Sequence, residues 1–178
     1  VYKRQVKRSH RNKVFLGLAQ KSKATMGWYH GFKLHIIIDM GEIIEWKITK
    51  STTDDRIPQK NNSFTQKIFG KLYGDKGYIS KSLFDELFVD GIHLVTRIRK
   101  NMKNQLMDMR DKLMLRKRSL VETVNDELKN IVQIEHTRHR SFDGFCVNIM
   151  AAITAYHFLP KKPKLDLCLL YTSPSPRD

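Results

Sequence analysis

Four residues at helical spacing, Arg118, Glu122, Asn125 and Lys129, are of the types that phosphodiester chemistry would use. An α-helix advances about 100° per residue, so Glu122 lies at about +40°, Asn125 at about −20° and Lys129 at about +20° from Arg118. The four share one narrow face. Val121, Val124, Leu128, Ile131 and Val132 gather on the opposite face, as a helix packed on a core requires. An acid flanked by cations suits a metal site acting on phosphate: the carboxylate holds the ion and the cations hold phosphates. Arg118 or Lys129 alone would read as part of a solvated face; sharing the stripe with Glu122 favours phosphate contact.

A second carboxylate stands in Gly74-Asp75-Lys76-Gly77-Tyr78, where glycines ease close backbone approach. Asp75 follows a short strand, and the C-terminal ends of strands face the crevice where open α/β sheets bind ligands. A plain turn aspartate is the alternative for this pentapeptide alone; beside the Glu122 stripe the catalytic reading gains. Carboxylates from a strand end and a facing helix would coordinate Mg²⁺, which takes oxygen ligands. Two such ions would clamp the attacking and leaving oxygens of an in-line phosphoryl displacement. Arg138-His139-Arg140-Ser141 either binds a DNA backbone or caps the helix that follows. Trp28, Tyr29 and Phe32 read as core or hairpin packing rather than base-stacking platforms. Asp54 and Asp55 read as helix caps, and Asp39 as a turn residue.

The elements that must position these groups follow from periodicity. Val6 to Thr25 is basic with little apolar pattern and reads as a loop or arm with a DNA-contacting surface. Phe32 to Ile38 and Glu42 to Thr49 form a hairpin about Asp39-Met40-Gly41. A helix is expected from Thr52 to about Phe69, with Pro58 tolerated only in its first turn. Lys71 to Tyr73 is a strand, Ser80 to Val89 a helix stopped by Gly91, and Ile92 to Ile98 another strand. A polar stretch, Arg99 to Arg116, precedes the Glu122 helix, and a last helix spans Phe142 to Phe158. A hairpin followed by alternating helices and strands predicts an α/β fold, a mixed sheet flanked by helices.

The chain has 178 residues, 40% of them hydrophobic, with a formal charge of +15. That length and composition bound one domain with a real core. Basic residues run from Lys7 to Lys164, which points to a polyanion-binding surface, with a ribosomal-type structural protein as the plain alternative. Cys146 and Cys168 show no pairing pattern, which indicates a reducing compartment, and no Cys/His spacing suggests zinc. No apolar run approaches a membrane span.

The two ends break the pattern. Residues 168–178, from Cys168 to Asp178, resemble the translation of a transposon mosaic-end adapter used to fragment DNA, and residues 1–5, Val1 to Gln5, resemble its other strand. Residues 6–167 are then the native segment. Removing Lys3 and Arg4 lowers the charge from +15 to +13, since Arg177 and Asp178 cancel. The basic signal survives.

Gly27-Trp28-Tyr29-His30-Gly31-Phe32-Lys33-Leu34-His35 resembles a segment of the DDE transposases of bacterial insertion sequences. Thr53-Asp54-Asp55-Arg56, Gly74 to Tyr78, Arg97 to Lys103, and Arg116 to Ser119 continued to Glu122, Asn125 and Lys129 resemble that family too, most closely its insertion-sequence 982 group. The resemblance implies a ribonuclease-H-like fold and a triad of acids binding two Mg²⁺ ions, or Mn²⁺ in their place. It implies cleavage at the element's ends by water, followed by attack of the freed 3′-hydroxyl on target DNA. Double-stranded DNA, as transposon ends and target, is the implied partner. A homodimer in a synaptic complex is expected, because two ends must meet, in a cytoplasmic, nucleoid-associated prokaryotic protein. Asp75 matches the second acid and Glu122 the third, while Arg118 and Lys129 match the basic members of the Tyr-Arg-Glu-Lys signature. Leu115 stands where that signature has tyrosine.

The first acid belongs on the opening, central strand, shortly before Val6, and no aspartate precedes Asp39. The chain is therefore expected to be a partial catalytic domain lacking its first strand, inactive through poor metal binding. A ribonuclease-H-like nuclease or resolvase, and a non-catalytic basic DNA-binding protein, are the rival readings.

Overall fold

The computed structural model describes residues 13–24, 27–60, 62–98, 102, 106–135 and 139–164. The adapter-like ends, residues 6–12 and 25 of the basic arm, and Arg138 lie outside the described residues.

Alternating apolar residues build the hairpin of β2 (Gly27–Asp39) and β3 (Glu42–Lys50), paired antiparallel from Phe32↔Lys50 to Asp39↔Glu42. Its turn needs two left-handed residues, Met40 at φ 49° and Gly41 at φ 88°, a form that matches the natural twist of paired strands. β2 begins five residues earlier than its apolar pattern suggests. The extra length, Gly27–Gly31, pairs with β1 (Gln20–Ala24), where a loop or arm is expected. The polar sequence Gln-Lys-Ser-Lys-Ala is held by its ladder, a contribution that hydrophobic period does not reveal. The register passes directly from Lys50↔Phe32 to Gln20↔Gly31, and Ser51 Oγ donates to Gln20 O at 2.7 Å across the junction.

The helix expected from Thr52 to Phe69 is broken up. Asp54 accepts the Arg56 amide at 3.0 Å and also binds its guanidinium, closing a tight local turn. Asp55 pairs with Lys33 instead of capping. A 3₁₀ turn at Pro58–Lys60 and a single helical turn, α1 (Asn62–Thr65), follow. Such side-chain-to-backbone bonds compete directly with helix formation.

β4 (Gly70–Gly74), α2 (Lys81–Val89) and β5 (Ile92–Thr96) form a parallel crossover, in register from Gly70↔Ile92 to Gly74↔Thr96. Gly91 ends α2 at φ 78°. Leu83 and Leu87 sit on Ile92 and Leu94, with Leu72 and Tyr78 against them, as one small core.

The polar stretch before the Glu122 helix holds a further helix, α3 (Met109–Arg116), and then come α4 (Ser119–Asn130) and α5 (Phe142–His157). Val124 and Leu128 of α4 and Phe145, Ile149, Ile153 and Tyr156 of α5 bury against Phe15, Phe32 and Ile43 in the larger core. Each such side chain contributes about 1.5–3 kcal/mol by leaving water. The Phe32 and Phe145 rings stack at 5.1 Å. Tyr29 and Phe32 are buried as expected, whereas Trp28 is 64% exposed and Ile131, one residue past α4, is 58% exposed.

The tail after α5 returns over the hairpin turn. Tyr156 Oη donates to Gly41 O at 2.5 Å, and Lys162 Nζ meets Glu42 at 2.7 and 2.9 Å. The Pro163 carbonyl occupies the space a Cβ on Gly41 would need.

The architecture is mixed α/β: a three-stranded antiparallel sheet, β1-β2-β3, a two-stranded parallel sheet, β4-β5, and helices packed on both. Among the described residues, Phe32–Asp39 pair only with β3, and β4 pairs only with β5. No described helix is long and apolar enough to cross a membrane.

Candidate active site

Asp75 stands at the end of β4 because Gly74 lets the chain pass tightly there. A Cβ on Gly74 would lie 3.2 Å from the Tyr78 ring, which would have to give by a few tenths of an ångström, and in ordinary contact with a Leu94 methyl at 3.4 Å. Gly77 has open space around its Cα and is under no such constraint. Asp75 itself is extended (φ −78°, ψ 166°) and caps the 3₁₀ turn Lys76–Tyr78 by accepting the Lys76 amide at 2.7 Å. Asp75 is thus a turn residue, one oxygen committed to the backbone and the side chain still 57% exposed.

Arg118 joins this carboxylate to Glu122. It occupies the N-cap of α4 rather than its interior, yet with helical dihedrals, so the spacing to Glu122 is kept. Arg118 Nη1 lies 2.5 Å from Asp75 Oδ1, and Nη2 lies 3.8 Å from Glu122 Oε1. Strand end and helix face therefore converge on one guanidinium. Partial burial pushes the Asp75 carboxyl up, but the Lys76 amide, the Arg118 hydrogen bond and the two neighbouring cations outweigh it and hold the pKa below the ordinary aspartate value. Tyr78, behind the turn, is pushed up by burial and then by the charges of Asp55 and Asp75, with Arg118 opposing. The Lys33–Asp55 pair is therefore electrostatically part of this neighbourhood. Lys33 Nζ reaches Asp55 Oδ1 at 2.9 Å and Thr53 O at 2.8 Å.

The stripe divides along its length. Asn125 and Lys129 line a cavity of about 220 Å³ with Lys33, Glu135 and apolar residues of both α4 and α5, and Lys129 Nζ approaches Glu135 Oε1 at 3.5 Å. They do not join Asp75 in the described contacts. Leu115 is 3% exposed and faces inward from α3. Ser141 caps α5 by accepting the Gly144 amide at 3.0 Å, so capping holds for the end of that basic tetrad, while Arg140 is exposed.

Residues that spacing did not single out fix α3 to β4. Asp111 is buried and accepts Lys71 Nζ at 2.8 and 2.9 Å and Tyr73 Oη at 2.9 Å. Burial raises the Asp111 pKa, but the Lys71 and Tyr73 hydrogen bonds and the charges of Lys71 and His93 prevail and lower it. The Tyr73 phenol is pushed up to about 12 by burial and by this carboxylate. The available signal is the alternation of Lys71, Tyr73 and Asp75 on β4, which puts all three on one side of the strand.

Asp75 and Glu122 are oxygen donors of the kind a hard divalent cation takes. Among the described residues no group of three or more Asp, Glu, His or Cys side chains is placed to hold a metal. The donors thus fit such an ion in kind and fall short in number. The family model described as "Transposase DDE domain" matches residues 3–142, a span that takes in β1 to α4 and both carboxylates. No curated protein and no solved structure matches the chain.

Proposed function

Because this chain belongs to the transposase DDE-domain family, we propose that it is the catalytic part of an insertion-sequence transposase, cutting element ends and joining them to target DNA. The observation that carries the reading is Arg118, in contact with Asp75 at 2.5 Å and within 3.8 Å of Glu122. Two carboxylates separated in the chain by α2, β5 and α3 meet at one cation, beside an exposed turn. In this reading Asp75 and Glu122 hold divalent cations, Mg²⁺ or Mn²⁺. Such ions, when bound, stabilise the attacking and leaving oxygens of phosphoryl displacement. Arg118 and Lys129 bind backbone phosphates and orient the scissile bond, with Asn125 and Arg140 extending the contact.

The fold in this reading is ribonuclease-H-like. The unpartnered sides of Phe32–Asp39 and of β4 support a further, central strand in the sheet. That strand would carry the remaining acid, encoded upstream of Val6; an uninterrupted parent reading frame with no aspartate on a strand there would overturn this point. DNA ends and target are the partners, with two copies pairing the ends.

The test uses the parent-length protein with paired element ends. Asp75→Asn and Glu122→Gln should each abolish metal-dependent nicking and strand transfer while leaving end binding intact. Cleavage retained by either variant refutes the assigned roles. Nicking without joining by the unaltered protein would favour a hydrolytic nuclease instead.

A further inference from the structure

Lys71, Tyr73 and Asp75 alternate along β4, and the extended backbone of Asp75 continues the alternation past the strand's end. Two of the three side chains bond Asp111 of α3, and the third bonds Arg118 at the start of α4. α3 runs into α4 through Lys117 and Arg118 alone, the Lys117 amide bonding Leu113 O at 3.0 Å and Arg118 keeping helical dihedrals, so the two helices are joined with almost no slack. The ties match in span. Four residues of strand from Lys71 to Asp75 cover about 13 Å. Seven residues of near-continuous helix from Asp111 to Arg118 cover about 10 Å. The α3–α4 unit is therefore pinned to one side of β4 at two points, one part-buried and one exposed.

We infer that Asp111 is a positioning residue for the candidate site: the part-buried bonds of its carboxylate to Lys71 and Tyr73 set where α4 lies along β4, and so bring Arg118 and Glu122 to Asp75. The exposed tie cannot do this unaided. Ion pairs at such exposure contribute little and are screened by salt. A buried carboxylate losing its partners, by contrast, costs several times that, so the Asp111 tie resists sliding of the helices. Asp111 touches no reacting group in this arrangement and acts only through placement. The significance of that placement rests on the function proposed above; the placement itself is testable without any activity.

The experiment measures distances between spin labels in this chain. Cys146 and Cys168 are replaced by Ala and Ser, and labels go on Asp85→Cys of α2 and Thr123→Cys of α4, both exposed positions. A control pair, Lys50→Cys of β3 and Val147→Cys of α5, reports the larger core. With Asp111 intact the α2–α4 distribution should be narrow. Asp111→Leu should broaden or shift it while the control pair stays unchanged. Exchanging the partners, Lys71→Asp with Asp111→Lys, should restore it, a rescue that general destabilisation does not give. An unaltered α2–α4 distribution in Asp111→Leu overturns the inference. Should Asp111→Leu also lose the control distance through unfolding, Lys71→Met and Tyr73→Phe, each removing one donor, decide the matter: a displaced α2–α4 distance supports the role, and an unaltered one in both overturns it. Failure of Asp75→Asn to abolish nicking would leave this result standing and would bear only on the proposed function.

Discussion

At the residue scale the guanidinium of Arg118 is matched to its task by shape as much as by charge. Its planar fork lets separate nitrogens face Asp75 and Glu122, which a single ammonium on a flexible stem does not reproduce. Arg118→Lys should therefore cost little stability, about 0–1 kcal/mol for exposed pairs, yet weaken DNA binding across all sequences. Titrating binding against salt checks this: Lys keeps the charge, so affinity should fall with the slope of log affinity against log salt unchanged, whereas Arg118→Ala, which removes the cation, should lower that slope by about one. The Asp75 pair also has a signed pH dependence. Because its folded pKa is depressed, its contribution is present above the unfolded carboxylate value and is lost as pH falls through the folded one. Asp111 and Glu42, whose pKa values are also lowered, follow the same sign. The lysine hydrogen bond is the leading cause for Glu42, so acid should release the tail from the hairpin turn. The NMR shifts of the Glu42 carboxyl and the Lys162 ammonium, followed as pH falls below the free carboxylate value of about 4, read that release.

At the scale of elements, packing tolerances set the predictions. Gly74→Ala puts a Cβ at 3.2 Å from the Tyr78 ring, which must give by a few tenths of an ångström, so the overpacking cost is at most about 1–3 kcal/mol. Leu128→Ala, at a side chain 1% exposed, should cost about 2–5 kcal/mol. Urea denaturation measures both, and a cost below 0.5 kcal/mol for Leu128→Ala would contradict the core assignment. These positions were legible in sequence: the hairpin, α2, α4 and α5 announce themselves by period, and Asp75, Arg118 and Glu122 by residue type and spacing. β1 and α3 were not. β1 is polar and exists through pairing to Gly27–Gly31, and α3 buries an aspartate where an apolar stripe would be sought. The 40 residues between Lys71 and Asp111 hide their contact from any local pattern. The expected helix after Thr52 failed for a local reason, since Asp54 and Arg56 satisfy each other in a turn.

At the scale of the molecule, a formal charge of +15 governs association before any specific contact forms. A protein neutralising 6–10 phosphates loses about 10³–10⁵ in affinity between 50 and 200 mM salt. Electrophoretic mobility shifts of unrelated duplexes should show that steepness, and salt-insensitive binding would argue against a phosphate-reading surface. The candidate site lies where the two cores adjoin: Asp75 belongs to the β4–β5 unit with the smaller core, while Glu122 rides on the helix that builds the larger. Relative movement of the two cores is therefore movement of the site.

The clasp at the hairpin turn has a consequence of a different sort. Gly41 is required twice, once by its φ of 88° and once by the Pro163 carbonyl lying where a side chain would begin. Relieving either demand alone gains nothing. The turn and the tail, 120 residues apart at Glu42 and Lys162, cannot diverge independently: a bulkier turn residue has to be answered by a rerouted tail in the same sequence. Functionally distant segments of the chain are thereby made to inherit their changes together.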